Sequence, residues 1–534
     1  MYMYKRSETK EPEEKLTARV TRELETMENH YNNETNRDEE TSPPVSPLSQ
    51  SFNSTTISLN IFAIFELETP ITEFEVLKFL LNHFLPSSIR FSSIMEKNWK
   101  GIVRWRKVDV QVEDHLIVPT FPLGLTSERY DNYLREYLSK ICCENFSDDK
   151  PLWEVHLVKY PSLSGACTMI FKLSHAIGDG YSFIRVFFMS FGRADKSSTP
   201  LTFPRVTLIK SQQRDDGNRL IGLGKKLFEL MHKCTNTSFD VMETLLRTTY
   251  YEDRPSAIRS ETSAKGKMEL FRPLNIHSLT LSLERVKKVK TKLGATMNDV
   301  IIGLLSYIIH LYAVRKNKNM DQYGEDGLKK DSINGGTNTS MTICVTLNMR
   351  IFKGFTNIED MIRADAWGNH TRLLFTPLPT SRNLEEVNPL DFIFKAKDIM
   401  DRKKKSMIFY LIDSLFLKAA MWAKGQKGLD GLLYSSFKNT STFISSVIGP
   451  KEQMAIMNHP VSSFYYFMSG IPQSITFTSV SCMEQLKLVV TMEKGFIDSE
   501  LFISCMDEAF ENIFQATFGN HPGKDDNEIK KKYS

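Results

Sequence analysis

Apolar positions follow two alternating rhythms along this chain, short unbroken runs and longer stretches of helical spacing, which together predict an α/β protein. In the first part, Ser58–Phe65 (SLNIFAIF), Trp105–Val112 and Trp153–Val158 read as strands, whereas Glu73–Phe84 and Tyr130–Cys143 carry helical spacing. Ala166–Leu173 (ACTMIFKL) reads as a buried strand and Tyr181–Phe191 as a helix. The residues between them therefore form a strand-to-helix turn. The rhythm breaks between residues 193 and about 265, where polar stretches (RADKSSTP, SQQRDDGN, RSETSAKGK) flank a helical segment, Leu220–Leu246. A second α/β half follows. It opens with a strand (Ser278–Leu283), a helix (Glu284–Leu293) and a longer helix from Thr296 to about Val314. Asn317–Thr339 is polar and glycine-rich and reads as a loop. Met341–Asn348 and Thr442–Ile448 read as strands, Phe392–Lys424 as mostly helical, Ser474–Met492 as a hairpin and Phe502–Phe518 as a closing helix.

This organisation predicts five segments. Residues 1–42 form a tail whose Glu, Lys, Arg, Asn and Thr bury too little apolar surface to order themselves. A first domain (43–205) contains the turn, and order is expected to begin near Ser46-Pro47-Leu48-Ser49. A crossover linker with a helix (206–265), a second domain (266–520) and a polar tail (521–534) complete the chain. Two similar-sized halves joined by a long connection place a ligand site at their interface.

A formal net charge of +4 over 534 residues does not indicate a nucleic-acid footprint. Seven scattered cysteines, of which only Cys142 and Cys143 are close together, predict free thiols in a reducing compartment. The N-terminus is charged where a signal peptide needs an apolar core. No uninterrupted apolar stretch reaches the ~18 to 20 residues of a membrane span. Val300–Val314, broken by His310, and Ser406–Ala423, carrying Asp413 and Lys418, read as buried or interfacial helices. The expectation is a cytosol-facing protein, soluble or peripheral.

Candidate chemistry concentrates in the turn, Ser174-His175-Ala176-Ile177-Gly178-Asp179-Gly180. A histidine held at the mouth of a site can take and return a proton near neutral pH. Asp179, flanked by two glycines, predicts a tight turn that aims the imidazole, with Gly178 and Gly180 serving backbone geometry. No second His or Cys lies nearby at ligand spacing, so no metal site is expected. The same residues also fit a loop histidine satisfied by backbone, with Asp179-Gly180 as ordinary turn chemistry. Thr296-Met297-Asn298-Asp299 fits a capping box, and Trp153 a core aromatic at a strand start.

Several phrases in order along the chain carry a likeness. Pro151-Leu152-Trp153 precedes the histidine turn, Asn298-Asp299-Val300 opens a helix in the second half, and Asn348-Met349-Arg350 and Val447-Ile448-Gly449-Pro450 end strands. RFSSI (Arg90–Ile94), VEDHLIVP (Val112–Pro119) and Gly470-Ile471-Pro472-Gln473-Ser474 accompany them. In this order and spacing, from about Pro44 to Ala516, the chain resembles the wax ester synthase/diacylglycerol acyltransferase family, most closely its plant-type branch.

The resemblance implies two chloramphenicol-acetyltransferase-like domains with an acyl-CoA tunnel between them. It implies O-acyl transfer from acyl-CoA to long-chain alcohols, to diacylglycerol, or to both, with acyl-CoA as co-substrate and no other cofactor. The family motif His-His-x-x-x-Asp-Gly puts its proton acceptor at His175, while Ser174 stands in place of the first histidine. Ser446 likewise stands where the family usually has Asn. Asp179 is expected to orient the loop, paired with Arg350, or else to be a solvated turn aspartate. Gly180 completes the motif. Ser174, Asn298, Asp299 and Arg350 are candidate substrate-binding or tunnel-lining positions. Two other readings stay open, an acyltransferase of this fold acting on a smaller soluble alcohol and a catalytically silent acyl-CoA- or lipid-binding paralogue.

Lys403-Lys404-Lys405, preceding an apolar helix with Lys418, Lys424 and Lys427, suits an anionic bilayer surface, or a solvated charge run beside a core helix. The C-terminal Lys531-Lys532-Tyr533-Ser534 has the form of a dilysine retrieval signal. It agrees with the location the resemblance implies, the cytosolic face of the endoplasmic reticulum membrane, with the plasma membrane as a second site.

Overall fold

The structure is a computed structural model that describes residues 42–98, 101–195, 199–202, 219–260, 270–323, 341–348, 367–381, 387–411 and 416–519. The two expected tails, the dilysine signal and Arg350 lie outside these residues. The first half contributes strands β1 (Asn60–Leu67), β2 (Ser93–Lys97), β3 (Val103–Lys107), β4 (Leu116–Ile117), β5 (Trp153–Val158), β6 (Cys167–Ser174) and β7 (Gly192–Arg193). The second contributes β8 (Leu274–Ser282), β9 (Thr342–Asn348), β10 (Thr371–Pro377), β11 (Thr442–Ile448), β12 (Met454–Ile456), β13 (His459–Ser469), β14 (Ile475–Cys482) and β15 (Gln485–Glu493).

These strands form two main sheets, ordered β4-β5-β6-β1-β13-β12-β7 and β10-β9-β11-β14-β15-β8, beside a small β2-β3 ribbon. Strands β1 and β6 are buried along their whole length. Both faces are covered, which is why their sequences run apolar without alternating. One face of the first sheet packs under Phe65, Phe79, Phe171 and Phe187. The other face meets α-helical residues Leu134 and Leu138 together with Ile276 of β8 and Val489 of β15, so the two sheets share a core.

The sequence-based domain boundary needs a correction. Residues 454–469, placed in the second domain, join the first sheet, where β13 lies antiparallel to β1 with Phe65 opposite Phe464. Those two rings stack at 4.6 Å, and Val461, Phe464, Tyr466 and Met468 complete the first core. Burial of this apolar face is what draws the segment across.

The helices, in chain order, are α1 (Pro47–Ser51), α2 (Glu73–Phe79), α3 (Ser127–Ile141), α4 (Gly180–Ser190) and α5 (Arg219–Leu245). They continue with α6 (Leu283–Lys292), α7 (Met297–Tyr323), α8 (Leu390–Lys405), α9 (Ile408–Leu411), α10 (Lys418–Lys438) and α11 (Ser499–Phe518). Helix α7 is long and apolar enough to cross a membrane by composition. Instead it fills the second core, with Leu305, Ile308 and Tyr312 fully buried. It runs to Tyr323, past the expected end near Val314.

A second correction concerns the lysine run. Lys403 is completely buried, its Nζ 2.8 Å from both Asp240 Oδ1 and Glu243 Oε2 of α5. Two carboxylates replace its water, so this residue locks the linker helix to α8 and faces no membrane.

Candidate active site

Strand β6 delivers the histidine turn to the seam between the two halves. Beyond Ser174 the backbone bends, and the His175 N–H donates to Leu59 O at the head of β1 (2.8 Å). The ring is only 8% exposed, with the edge of Phe52 packed on it at 4.7 Å. Its Nδ1 lies 2.9 Å from Oδ1 of Asn369, a residue just upstream of β10. The Asn369 amide nitrogen donates to His175 O and to Ser49 Oγ of α1, each at 2.9 Å. With its nitrogen end so engaged, Asn369 can only accept from the ring. Neutral His175 therefore carries its proton on Nδ1 and leaves the Nε2 lone pair free. Burial pushes its pKa below the ordinary value, against upward pulls from the Asp179 carboxylate and the Asn369 bond. The imidazole is thus held neutral near pH 7, as a proton acceptor must be.

Asp179 ties this turn to the second half. It caps α4, Oδ1 accepting from the Ser182 N–H and Oγ–H at 3.0 Å each. Oδ2 accepts from the His370 N–H (2.9 Å) and Thr371 Oγ1 (3.1 Å). Trp367 Nε1 and Arg90 Nη1 both donate to Ile177 O, at 2.9 and 2.7 Å. Burial drags the Arg90 guanidinium down to about 10 even with the Asp179 charge beside it. Segment 367–371, which precedes and enters β10, is thereby stapled over the turn.

Two models of a single family match the chain: the wax ester synthase/diacylglycerol acyltransferase catalytic domain over residues 104–301 and the WS/DGAT C-terminal domain over residues 367–514. The chain belongs to the wax ester synthase/diacylglycerol acyltransferase family. It is 27% identical over 436 residues to wax ester synthase/diacylglycerol acyltransferase 7 of Arabidopsis thaliana, covering 78% of this chain and 86% of that protein. Member 11 from the same plant is 28% identical over 466 residues, covering 85% and 90%. The fold is similar to that of the wax ester synthase/diacylglycerol acyltransferase from Marinobacter aquaeolei VT8, with TM-score 0.54 and 13% identity over 89% of this chain and 99% of that one. The first condensation domain of the CDA synthetase gives TM-score 0.51 at 9% identity, over 90% and 97%. The chain thus has the chloramphenicol-acetyltransferase-like architecture of this acyltransferase family.

In this family member the expected site residues fall into distinct places. His175 and Asp179 lie together at the seam. Ser174 is fully buried, and its Oγ accepts from the Ala176 N–H (3.3 Å), bracing the turn. Neither motif glycine is in the left-handed region. Gly178 is required by packing, since a Cβ there would sit 2.8 Å from Ser182 Cβ. Gly180 has ordinary room, 3.6 Å from Val447 Cγ2, so no conformational demand explains it. Asp299 forms the capping box of α7, accepting from the Thr296 N–H at 2.7 Å, and Asn298 is exposed at the same helix start. No described contact joins either residue to the His175 turn. Trp153 is a fully buried core aromatic whose Nε1 donates to Phe91 O (2.8 Å).

The sequence reading missed Asn369 and Phe52, which contact the imidazole from two separate segments, and Ser49, which holds Asn369 in place. It also missed a cavity of about 50 Å³ lined by Leu48, Phe52, Thr371, Phe375, Phe416 and Leu433. Phe52 joins this cavity to His175, and Thr371 joins it to Asp179. Its volume is that of one or two waters.

Proposed function

We propose that this chain transfers an acyl group from acyl-CoA to the hydroxyl of a lipid alcohol, a long-chain alcohol or diacylglycerol. The observation carrying this reading is the Asn369 bond that leaves His175 Nε2 as a free base beside an apolar cavity. His175 Nε2 takes the hydroxyl proton as the alcohol oxygen attacks the thioester carbonyl. The tetrahedral oxyanion collapses, the C–S bond breaks, and the CoA thiolate recovers the proton from the imidazolium. No covalent enzyme intermediate forms. General base catalysis contributes about 10² to 10⁴-fold, and the remainder comes from holding both substrates in a dry seam. Asp179 acts by fixing the loop. The working location is the cytosolic face of the endoplasmic reticulum, where such acceptors reside.

The test is expression in a host lacking neutral lipid synthesis, fed with fatty alcohols, with wax esters and triacylglycerols separated. The chain should accumulate one or both, and His175→Ala neither. Undiminished ester in His175→Ala overturns the role of the histidine. Acyl-CoA binding without turnover on any alcohol overturns the enzyme.

A further inference from the structure

Linker helix α5 is turned inside out. With 3.6 residues per turn, Thr237, Asp240 and Thr244 share one face, and Phe228, Met231, Phe239 and Met242 the opposite one. The polar face points inward: Asp240 and Thr244 are buried. Beside Asp240 the apolar face points outward, with Phe239 and Met242 more than half exposed; nearer the start of the helix Phe228 (71%), Leu230 (55%) and Met231 (63%) are exposed on more than one side. The orientation is locked. Asp240 and Glu243 hold Lys403 and Arg402 of α8, and Thr237 Oγ1 accepts from the Met407 N–H at 2.9 Å. Rotating the helix to hide its apolar face would strand the buried Lys403.

The exposed apolar surface continues past the helix. Tyr250 and Tyr251 follow it, both exposed; separately, Trp422 near the start of α10, a helix whose Leu432 and Leu433 share the Phe52 cavity with Thr244 of α5, is 91% exposed. A groove of about 410 Å³ runs between Phe239, Met242, Leu246 and Tyr251, with exposed Arg254 at its edge. Three carboxylates border the groove and all are engaged by the protein. Glu243 holds Lys403, Glu252 pairs with Arg259 (3.0 Å) and Lys438 (3.2 Å), and Asp253 accepts from Thr342 and Ser441. Exposed cations stand nearby: Arg254 at the groove and, around Trp422 on α10, Lys418, Lys424 and Lys427.

We propose that this face docks on an anionic lipid bilayer. Exposed Trp and Tyr flanked by Lys and Arg suit the headgroup boundary, and an apolar helix face fits the acyl region beneath it. The same elements frame the cavity beside Phe52, through Thr244 on the inner side of α5 and Phe416 and Leu417 just before α10. A lipid acceptor drawn from the bilayer would reach His175 between α5 and α10, past this cavity. The choice of a bilayer over a protein partner rests in part on the lipid-alcohol reading above.

Co-sedimentation of the full chain with phosphatidylcholine vesicles, with and without phosphatidylserine, tests this directly. The chain should bind the phosphatidylserine vesicles more strongly, and added salt should weaken the binding. A variant with Phe228→Ser, Met242→Ser and Trp422→Ser should bind at least about tenfold more weakly. A second variant, with Lys418→Glu, Lys424→Glu and Lys427→Glu, should lose the preference for phosphatidylserine. Both should release CoA normally with a short water-soluble alcohol in the absence of vesicles. Failure of the unaltered chain to bind anionic vesicles, or unchanged binding in both variants, overturns the docking face. Normal vesicle binding with no turnover on any alcohol leaves docking standing and overturns the enzymatic reading.

Discussion

Replacing Asn369 by Leu removes the acceptor for His175 Nδ1 while keeping the side chain's bulk. In the proposed reaction the ring becomes an imidazolium at the transition state, so the 2.9 Å bond to Asn369 Oδ1 becomes charge-assisted just when it matters. A hydrogen bond to a charged group is worth about 1.5–3 kcal/mol. At 1.36 kcal/mol per decade that predicts a fall in kcat of about 10- to 150-fold. His175→Ala should fall further, by about 10² to 10⁴-fold. The pH profile separates an electrostatic role from mere loosening of the loop. Burial already sets the His175 pKa below its ordinary value, and the Asn369 bond opposes that shift. The rate is therefore lost on the acid side, as the imidazole protonates below pH ~6.5. Asn369→Leu should move this limb of kcat/KM to still lower pH. Asn369→Asp, which puts a carboxylate against the ring, should move it up. CoA release with a soluble alcohol measures both. An unchanged kcat, or a limb that stays put in both variants, refutes the tautomer assignment.

Asp179→Ala should destabilise the fold by removing the α4 cap, worth about 0.5–2 kcal/mol, and the partly buried bond from the His370 N–H, worth about 0.5–1.5 kcal/mol; urea unfolding reads the sum. Gly180→Ala should keep activity and Tm, because its Cβ meets Val447 at ordinary contact. Gly178→Ala should lower stability by about 1–3 kcal/mol through its clash with Ser182, seen by thermal unfolding. Lys403→Met should cost about 3–5 kcal/mol by leaving buried Asp240 with only the longer Arg402 contact at 3.5 Å, and adding Asp240→Leu should recover most of that loss in denaturant titrations.

The strand and helix on either side of His175 were legible because each is apolar throughout and Asp179 sits at the junction as a ready N-cap. Asn369 was not. It lies in a short irregular stretch, Trp367-Gly368-Asn369-His370, with no period of its own, and reaches His175 across 194 positions of chain. Strand β13 escaped notice for a related reason: its serines and tyrosines (HPVSSFYYFMS) blur both rhythms, and only burial on both sides reveals it as central. The lysine run misled because a sequence pattern treats every lysine as solvated. Lys403 is dry only because Asp240, more than a hundred residues earlier, turns inward to meet it.

The place of β13 also has a temporal meaning. Strand β1 is paired on one edge by β6, but its other partner, from Val461 to Ser469, lies about 400 residues downstream. At synthesis rates of about 5–20 residues per second, that edge waits roughly 20 to 80 s on the ribosome for its complement. Throughout that interval NIFAIFEL offers unpaired backbone and a row of phenylalanines and isoleucines to any passing strand. Truncation before residue 459 should thus yield an aggregating fragment rather than an autonomous first domain, and the nascent chain has a built-in need for chaperone cover.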